Sequence, residues 1–485
     1  GWQWGVFKPA STFVAKCVSP RTGTDPFTNR PYADRAGTLL DENNWLRSWS
    51  NDLYLWYSEI TDRNPSLYAS PEAYFDVLRT LAVTGSGAHK DRFHFTYPTD
   101  QWYTLSTTGS QAGYGADWEI IAGVPPRSVK VGFTAPGSPA AAAAIVRGTS
   151  VLQVDGKDLV NTNLQADIDV INAGLFPNAA GESHTFQVQD PGPGLIHSVT
   201  LVSADVTMPS VQNVTTFATA SGKVGYLQFN DHLAAAESAV VAAFATLQAA
   251  GVSDLVLDIR YNGGGYLDIA SEVAYMIAGQ ANTAGQTFEL TQFNAKHPSV
   301  DPVTGQAITP MLFHNDSQGF ASSLLPAGQP LPTLNLARVF VLTGPGTCSA
   351  SESIINGLRG VGVQVIQVGS TTCGKPYGFY PEDNCGTTYF SIEFRGVNAL
   401  NFGDYPDGFS PQNEPPASNG AFVGVSLPGC SVGDDFAHTL GDPAEARLAA
   451  ALAYRGNGGN CPVPATGLGL RRELAASGEA GGLSL

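Results

Sequence analysis

The chain has 485 residues, of which 43% are hydrophobic and 14% are charged, and its formal net charge at pH 7 is −17. This length exceeds what one hydrophobic core supports and predicts two or three domains. The acidic balance argues against a nucleic-acid surface, which needs basic patches, so no nucleic-acid partner is expected. No apolar stretch approaches the roughly 20 residues that span a bilayer, so no transmembrane segment is predicted in this chain.

The N-terminal part is predicted to be an extended arm followed by a helical region. Residues 1–35 are rich in Pro, Thr and Asn and lack a period, which is typical of an extended arm. Within residues 36–111, apolar side chains recur three or four positions apart from 39 to 60, which predicts an amphipathic helix. Pro71 begins a second predicted helix, which runs to about Leu81, because proline is tolerated at the first helical position.

Residues 112–208 are predicted to form a β module. Short β-like runs follow one another here. The predicted strands are 116–121, 128–131, 150–154, 185–188 and 198–201. A predicted helix, 139–145, interrupts them.

Residues 209–455 are predicted to form a core domain, and residues 456–485 a glycine-rich tail. Apolar strands alternate with helices in the core, which favours a mainly parallel sheet flanked by helices. The predicted strands are 224–229, 255–259, 339–342, 363–368 and 387–394, and the main predicted helices are 234–250, 267–278 and 353–358. The chain is therefore expected to be a multidomain protein of α/β and α+β class.

The stretch Thr-Cys-Ser-Ala-Ser-Glu, 347–352, places a serine between a predicted strand and a predicted helix. Backbone N–H groups at a helix start are unpaired, so they can stabilise an anion that forms beside Ser349. Glu352, in the first turn, is interpreted as a carboxylate favoured by the helix dipole and not as a catalytic acid. Three glycines, 263–265, follow the strand 255–259 and let backbone amides approach a ligand closely.

Lys375 is the candidate base, because a serine is inert until a neighbouring group takes its proton. It follows the predicted strand 363–368, and parallel strands would bring it to the same sheet edge as Ser349. An uncharged lysine is a competent base if burial lowers its pKa.

The blocks DIRYNGGG (258–265), TCSASE (347–352) and GKP (374–376) resemble, in order and spacing, the C-terminal processing peptidases, or tail-specific proteases. These are Ser/Lys proteases. The resemblance implies that Ser349 is the nucleophile and Lys375 the general base. It also implies an oxyanion hole made by the amides of Gly264 and Ala350.

The same resemblance extends to the β module and to the substrate. The module is similar to a PDZ domain, and the loop that takes a peptide carboxylate would be Tyr114, Gly115, Ala116 and Asp117. The implied activity is that of a serine endopeptidase without cofactor or metal, which cleaves exported proteins or peptides near apolar C-termini. Its partners would be these protein or peptide substrates.

The residue that orients Lys375 is left open. Many family members carry a glutamine one helical turn after the lysine, where this chain has Phe379. Glu382, Asp383, Thr387 and Thr388 are the candidates to orient Lys375 instead.

Two alternatives to a Ser/Lys peptidase also stay open. A related branch uses a histidine base near the start of the core, so the chain is alternatively a serine hydrolase with a relay based on His232. Another alternative is a catalytically idle peptide-binding protein on the same scaffold.

The six cysteines are even in number and lack metal-type spacing, so disulfides are expected and no metal site is. Candidate pairs are Cys430 with Cys461, Cys348 with Cys373, and Cys373 with Cys385. Because the family is exported, the chain is expected in the periplasm, in the cell envelope as a lipoprotein, or outside the cell. A lipid anchor upstream is compatible with the sequence.

Overall fold

The computed structural model describes residues 2–415 and 424–462, and its centre is a six-stranded sheet. In spatial order the strands are Val211–Thr219, Gly222–Phe229, Asp254–Asp258, Arg338–Thr343, Gln364–Gly369 and Gly429–Ser431. The first strand pairs antiparallel with its neighbour, and the other five run parallel to one another. The mainly parallel sheet predicted for the core is thus confirmed. The predicted core strand 387–394 is wrong, because Thr387–Phe390 pairs antiparallel in a separate three-stranded sheet and residues 391–393 are not strand.

Both faces of this sheet are buried because its central strands are apolar at nearly every position. Side chains alternate between faces along a strand, so Leu255 and Leu257 pack on one side and Val256 on the other. The first face is covered by Ala236–Ala250, Leu267–Ala278 and Ala350–Gly360, and the second by Ala446–Gly456. This two-sided burial fixes the strand ends, from which the candidate site residues extend.

A second sheet is formed within the β module. In spatial order its strands are Ile196–Val202, Ser183–Gln189, Ser150–Val154, Ser128–Thr134 and Ala116–Ala122, with Lys157–Asp158 beside Ser150–Val154. The strands that begin and end the module in sequence pair with each other: Ser110–Gly113 is antiparallel to Ala204–Thr207. All five predicted strands are therefore present.

The helices of the β module differ from the prediction. The predicted helix 139–145 is the single turn Pro139–Ala142. Helix Gln165–Leu175 was not predicted, although the spacing of Ile168, Ile171 and Leu175 is the signal that indicates it.

The N-terminal region is helical, as predicted, but its helices are shorter. The first is Leu39–Leu53, which begins with a capping box. The second is Pro71–Phe75, beyond which the backbone turns through hydrogen bonds three residues apart instead of continuing the helix. Strand Phe95–Pro98 pairs antiparallel with Thr387–Phe390, so this region is joined to the segment that follows Lys375.

The rest of the described chain consists of short elements and turns. The 3₁₀ helices are Ala10–Thr12, Tyr57–Glu59 and Pro65–Leu67, and the other α-helices are Thr99–Thr108 and Gln280–Thr283. The other strands are Lys16–Cys17, Thr24–Asp25, Arg30–Pro31, Arg35–Ala36, Thr287–Phe293, Met311–Leu312, Tyr377–Gly378, Glu382–Asn384, Phe394–Val397, Phe409–Pro411 and Val425–Leu427. Among the described helices, none has the length and apolarity that a membrane span requires. Of the predicted tail 456–485, residues 463–485 lie outside the described residues, and in the described part Cys461 is bonded to Cys430.

All six cysteines form disulfides, in the pairs Cys17–Cys385, Cys348–Cys373 and Cys430–Cys461. Two candidate pairs are confirmed. The candidate pair Cys373–Cys385 is wrong, because Cys385 is bonded to Cys17, whose Cα lies 5.4 Å away. This link spans 368 residues of sequence, so only the folded chain brings the two cysteines together.

Candidate active site

Three neighbouring parallel strands carry the candidate residues at their carboxyl ends. The glycine loop, defined here as residues 263–265, follows strand Asp254–Asp258. Ser349 follows Arg338–Thr343, and Lys375 follows Gln364–Gly369. Because the strands are adjacent in the order given above, the segments meet at one sheet edge, which is where sites of open α/β sheets lie.

Ser349 occupies an unusual backbone conformation at the start of a helix. Its φ of 56° and ψ of −119° lie in a region that residues other than glycine rarely adopt. It is the N-cap of helix Ala350–Gly360, and the N–H of Ala350 has no acceptor among the described residues. A nucleophile placed here would lie beside an unpaired backbone donor.

The glycine loop lies directly against this helix start. Gly264 has a φ of 99°, and a Cβ atom at this position would lie 2.9 Å from both Ala350 N and Ser349 Cβ, so only glycine fits. The N–H of Gly264 donates to Asn262 Oδ1 at 3.0 Å, whereas the N–H of Gly265 has no acceptor among the described residues. The structure thus brings Gly264 and Ala350 together, and their role as oxyanion donors stays a prediction.

Glu352 joins the nucleophile segment to the lysine segment. Its carboxylate is fully buried, and Oε2 accepts hydrogen bonds from Ser349 N at 3.1 Å and Lys375 N at 2.8 Å. Oε1 accepts from Gly374 N at 2.8 Å and Thr372 Oγ1 at 2.5 Å. The backbone nitrogens of Ser349 and Lys375 therefore share one acceptor atom and lie no more than two hydrogen-bond lengths apart. The sequence predicted Glu352 as a first-turn carboxylate, but it did not predict the hydrogen bonds from Thr372, Gly374 and Lys375, because these residues belong to a distant segment.

A disulfide reinforces the same junction. Cys348, which precedes Ser349, is bonded to Cys373, two residues before Lys375, with a Cα–Cα distance of 5.2 Å. The N–H of Cys373 also donates to Thr347 O at 3.0 Å. The two loops are thus held together by a covalent bond, a backbone hydrogen bond and a shared carboxylate.

Lys375 lies in a pocket that favours its neutral form. Its side chain is buried, makes no ion pair and donates no hydrogen bond from Nζ to any described residue. Burial lowers the pKa of Lys375 to about 8, and the carboxylates of Asp91 and Glu352 oppose this change. Ser349 Oγ and Lys375 Nζ are not hydrogen-bonded to each other in this structure.

His232, the alternative base, lies under the glycine loop. Its ring is fully buried; its backbone N–H donates to Gly264 O, and its backbone carbonyl accepts from the N–H of Tyr266. Asn262 Oδ1 is the acceptor 3.0 Å from Nδ1, so Nδ1 carries the hydrogen and Nε2 has no partner among the described residues. Burial lowers the pKa of His232 to about 3, so the ring holds a proton poorly.

A buried charge network underlies the glycine loop and was not predicted from the sequence. Arg260 donates to both oxygens of Asp258 and to both oxygens of Glu445, and it also reaches Asp434 Oδ1 at 2.8 Å. Such paired, planar contacts are the strongest that a guanidinium makes. The sequence feature that could have indicated this network is Arg260 itself, an arginine at the end of an apolar strand.

Arg147 connects the β module to this network. Its guanidinium donates to Asp434 Oδ1 at 2.7 Å and to the hydroxyl of Tyr261 at 2.7 Å. Tyr261 also donates to Asp434 Oδ2. Because Tyr261 immediately follows Arg260 in the segment that leads to the glycine loop, the β module and the site share one set of buried contacts.

The four residues predicted to take a peptide carboxylate lie together at the start of strand Ala116–Ala122. Tyr114 is buried, and its hydroxyl donates to Gly174 O at 2.7 Å. A Cβ atom on Gly115 would lie 2.3 Å from Ser138 Cβ, so this position requires glycine. Burial raises the pKa of the Asp117 carboxyl to about 6. Binding of a peptide by Tyr114, Gly115, Ala116 and Asp117 stays a prediction.

Comparison with known proteins identifies the family of the two regions that meet at this site. Residues 223–378 match peptidase family S41, and residues 41–97 match the peptidase S41 N-terminal domain. A carboxyl-terminal-processing protease from Picosynechococcus is 26% identical over 271 residues. That match covers 56% of this chain and 56% of the relative, so the chain aligns with little more than half of the relative's length.

The fold is also that of a solved structure. A crystal structure of a Bacteroides fragilis protein described as an S41 protease has a TM-score of 0.59 and 22% sequence identity, covering 86% of this chain and 98% of that chain. At this identity the likeness concerns the fold. The resemblance predicted from the three sequence blocks is confirmed: this chain carries the domain of peptidase family S41 together with the S41 N-terminal domain.

Proposed function

We propose that this chain is a serine endopeptidase in which Ser349 attacks a peptide carbonyl and Lys375 accepts its proton. The observation that carries the proposal is the Glu352 carboxylate, which binds the backbone N–H of both residues. The family match supports the same assignment. No metal or cofactor enters the proposed reaction.

In the first step, Ser349 Oγ bonds to the carbonyl carbon while Lys375 Nζ takes the hydroxyl proton. The negative charge that develops on the carbonyl oxygen would be stabilised by the N–H of Ala350 and by a donor from the glycine loop. Gly264 is the predicted second donor, and its hydrogen must then turn from Asn262 Oδ1 to the oxyanion. The ammonium passes its proton to the leaving amine as the C–N bond breaks, and water hydrolyses the acyl-enzyme.

The proposed substrates are exported proteins or peptides, cut near an apolar C-terminus. Strand Ala116–Ala122 has one neighbouring strand among the described residues, so its other edge is available for strand addition by a peptide. Helix Gln165–Leu175 lies beside this strand, since Trp118 Nε1 donates to Leu175 O at 3.2 Å. Three disulfides support an exported protein, because such bonds persist in oxidising compartments.

This function is tested by incubating the full chain with an unfolded protein that ends in apolar residues and with the same protein ending in charged residues. We expect cleavage near the C-terminus, faster for the apolar end, and complete inhibition by a phosphonate that forms an adduct on Ser349, both followed by mass spectrometry. Peptide binding without any cleavage or adduct would identify the idle peptide-binding alternative instead.

The identity of the base is tested by replacing Lys375 and His232 separately. Lys375→Met is expected to reduce kcat by about a hundredfold or more, because it removes the proposed general base. His232→Gln is expected to reduce kcat much less, through disturbance of the glycine loop. Lys8→Met, at an exposed lysine far along the sequence, is the matched control. The opposite ranking, with His232→Gln inactive and Lys375→Met active, would establish the histidine relay.

A further inference from the structure

The end of the Lys375 side chain is faced by two aromatic rings. Nζ lies 4.2 Å from the ring centroid of Phe379 and 5.3 Å from that of Phe93. It donates no hydrogen bond to any described residue. An ammonium over a ring face is attracted by the negative centre of the ring, and this attraction grows when water is excluded.

Both rings are held in place by their own packing. Phe93 is buried in a cluster with Tyr54 and Ile392, which also contains the Cys348 half of the active-site disulfide. The ring of Phe379 packs edge-on against Phe390, with centroids 5.2 Å apart and planes 77° apart. The rings therefore present fixed faces to the lysine.

The charged groups around the lysine are engaged elsewhere. Asp91, on the same segment as Phe93, accepts a hydrogen bond from the Tyr54 hydroxyl at 2.6 Å and lies 3.6 Å from His94 Nδ1. Glu352, on the nucleophile helix, is occupied by four donors. Arg92 donates to the carbonyl of Cys373 in the lysine loop. The rings are thus the partners that the structure provides for Nζ itself.

We propose that Phe93 and Phe379 are positioning residues for Lys375, whose Nζ they hold against two ring faces. The proposal rests on the proposed function. The rings exclude water and so keep the resting amine neutral. When Nζ takes the proton from Ser349 Oγ, the new ammonium is stabilised by both faces until it protonates the leaving amine. The S41 N-terminal domain, which supplies Phe93, would thereby complete the active site.

The test compares variants of Phe379 that change the ring face and the exclusion of water separately. Phe379→Leu keeps the apolar volume and removes the ring, so we expect kcat and kcat/KM to fall together by about 3- to 30-fold with KM unchanged. The acid limb of the kcat profile should move to lower pH, since the ammonium loses its partner. Phe379→Ala removes the same ring and also admits water, which stabilises the ammonium, so its acid limb should lie at higher pH than that of Phe379→Leu. Phe379→Tyr keeps a ring face and should retain activity.

Phe217→Leu, on the outer strand Val211–Thr219, is the matched control, and thermal unfolding verifies that each variant is folded. Phe93→Leu tests the second ring with the same measurements. If a Phe379 variant does not fold, Phe93→Leu takes its place as the test. A kcat and a pH profile equal to the wild type in both leucine variants would overturn the proposal, provided that Ser349→Ala and Lys375→Met are inactive. If the wild-type chain has no activity and Ser349 takes no label, the proposed function itself fails.

Discussion

Replacing Ser349 by alanine is expected to abolish peptide-bond hydrolysis, with kcat reduced by at least about a thousandfold. The change removes only the hydroxyl that forms the acyl-enzyme. The contacts that shape the segment, from Ser349 N to Glu352 and from Cys348 to Cys373, use the backbone and the neighbouring disulfide, so the fold should persist. Turnover is measured on an unfolded protein substrate, and the folded state is checked by thermal unfolding.

The control for this experiment is Ser323→Ala, at an exposed serine remote in sequence from the site. It should cleave the substrate at the wild-type rate. If Ser349→Ala also turned over at an unchanged rate, Ser349 would not be the nucleophile, and the convergence of the three segments would need another explanation.

Glu352→Gln is expected to have the second-largest effect, because it damages stability and activity together. Each carboxylate oxygen of Glu352 accepts two hydrogen bonds, whereas glutamine offers one oxygen and one NH₂ group. Two buried donors then lose their acceptor, which costs about 1–3 kcal/mol each, or about 2–6 kcal/mol in the free energy of unfolding. Activity should also fall where the variant is folded, since the link between Ser349 and Lys375 is broken.

The matched control is Glu289→Gln, at a second buried carboxyl. Burial raises the pKa of both carboxyls, to about 7 for Glu289. Glu289 hydrogen-bonds the Ser353 side chain, whereas four donors bond Glu352, so an amide disturbs fewer hydrogen bonds at position 289. Chemical denaturation should therefore show a much smaller loss of stability for Glu289→Gln than for Glu352→Gln. Equal stability of the Glu352→Gln variant and the wild type would mean that the four hydrogen bonds do not hold the site together.

The core sheet was predictable because its strands are buried on both faces. Residues 339–342 and 363–368 are apolar and short, and the following segments carry the serine and the lysine, so the pattern alone placed both at one edge. The strand boundaries shifted by only a residue or so, to Arg338–Thr343 and Gln364–Gly369.

The contacts that build the site were not predictable, because they join segments far apart in sequence. Glu352 was correctly placed in a helical first turn, but its bonds to Gly374 and Lys375 depend on how the next loop returns. Phe93 comes from the N-terminal region and is brought to Lys375 where strand Phe95–Pro98 pairs with Thr387–Phe390 and Arg92 bonds the carbonyl of Cys373. Local periodicity carries no information about such pairings.

The central claim is that the neutral amine of Lys375 activates Ser349, and the most direct test is the pH dependence of covalent labelling at Ser349. The rate of phosphonate adduct formation is measured by intact mass from pH 6 to 10. A lysine accepts a proton only when it is uncharged, so the rate should be low below its pKa and rise as the pH passes through about 8. We predict this rise in the wild type and its loss in Lys375→Met. A rise of the same size and midpoint in Lys375→Met would contradict the account.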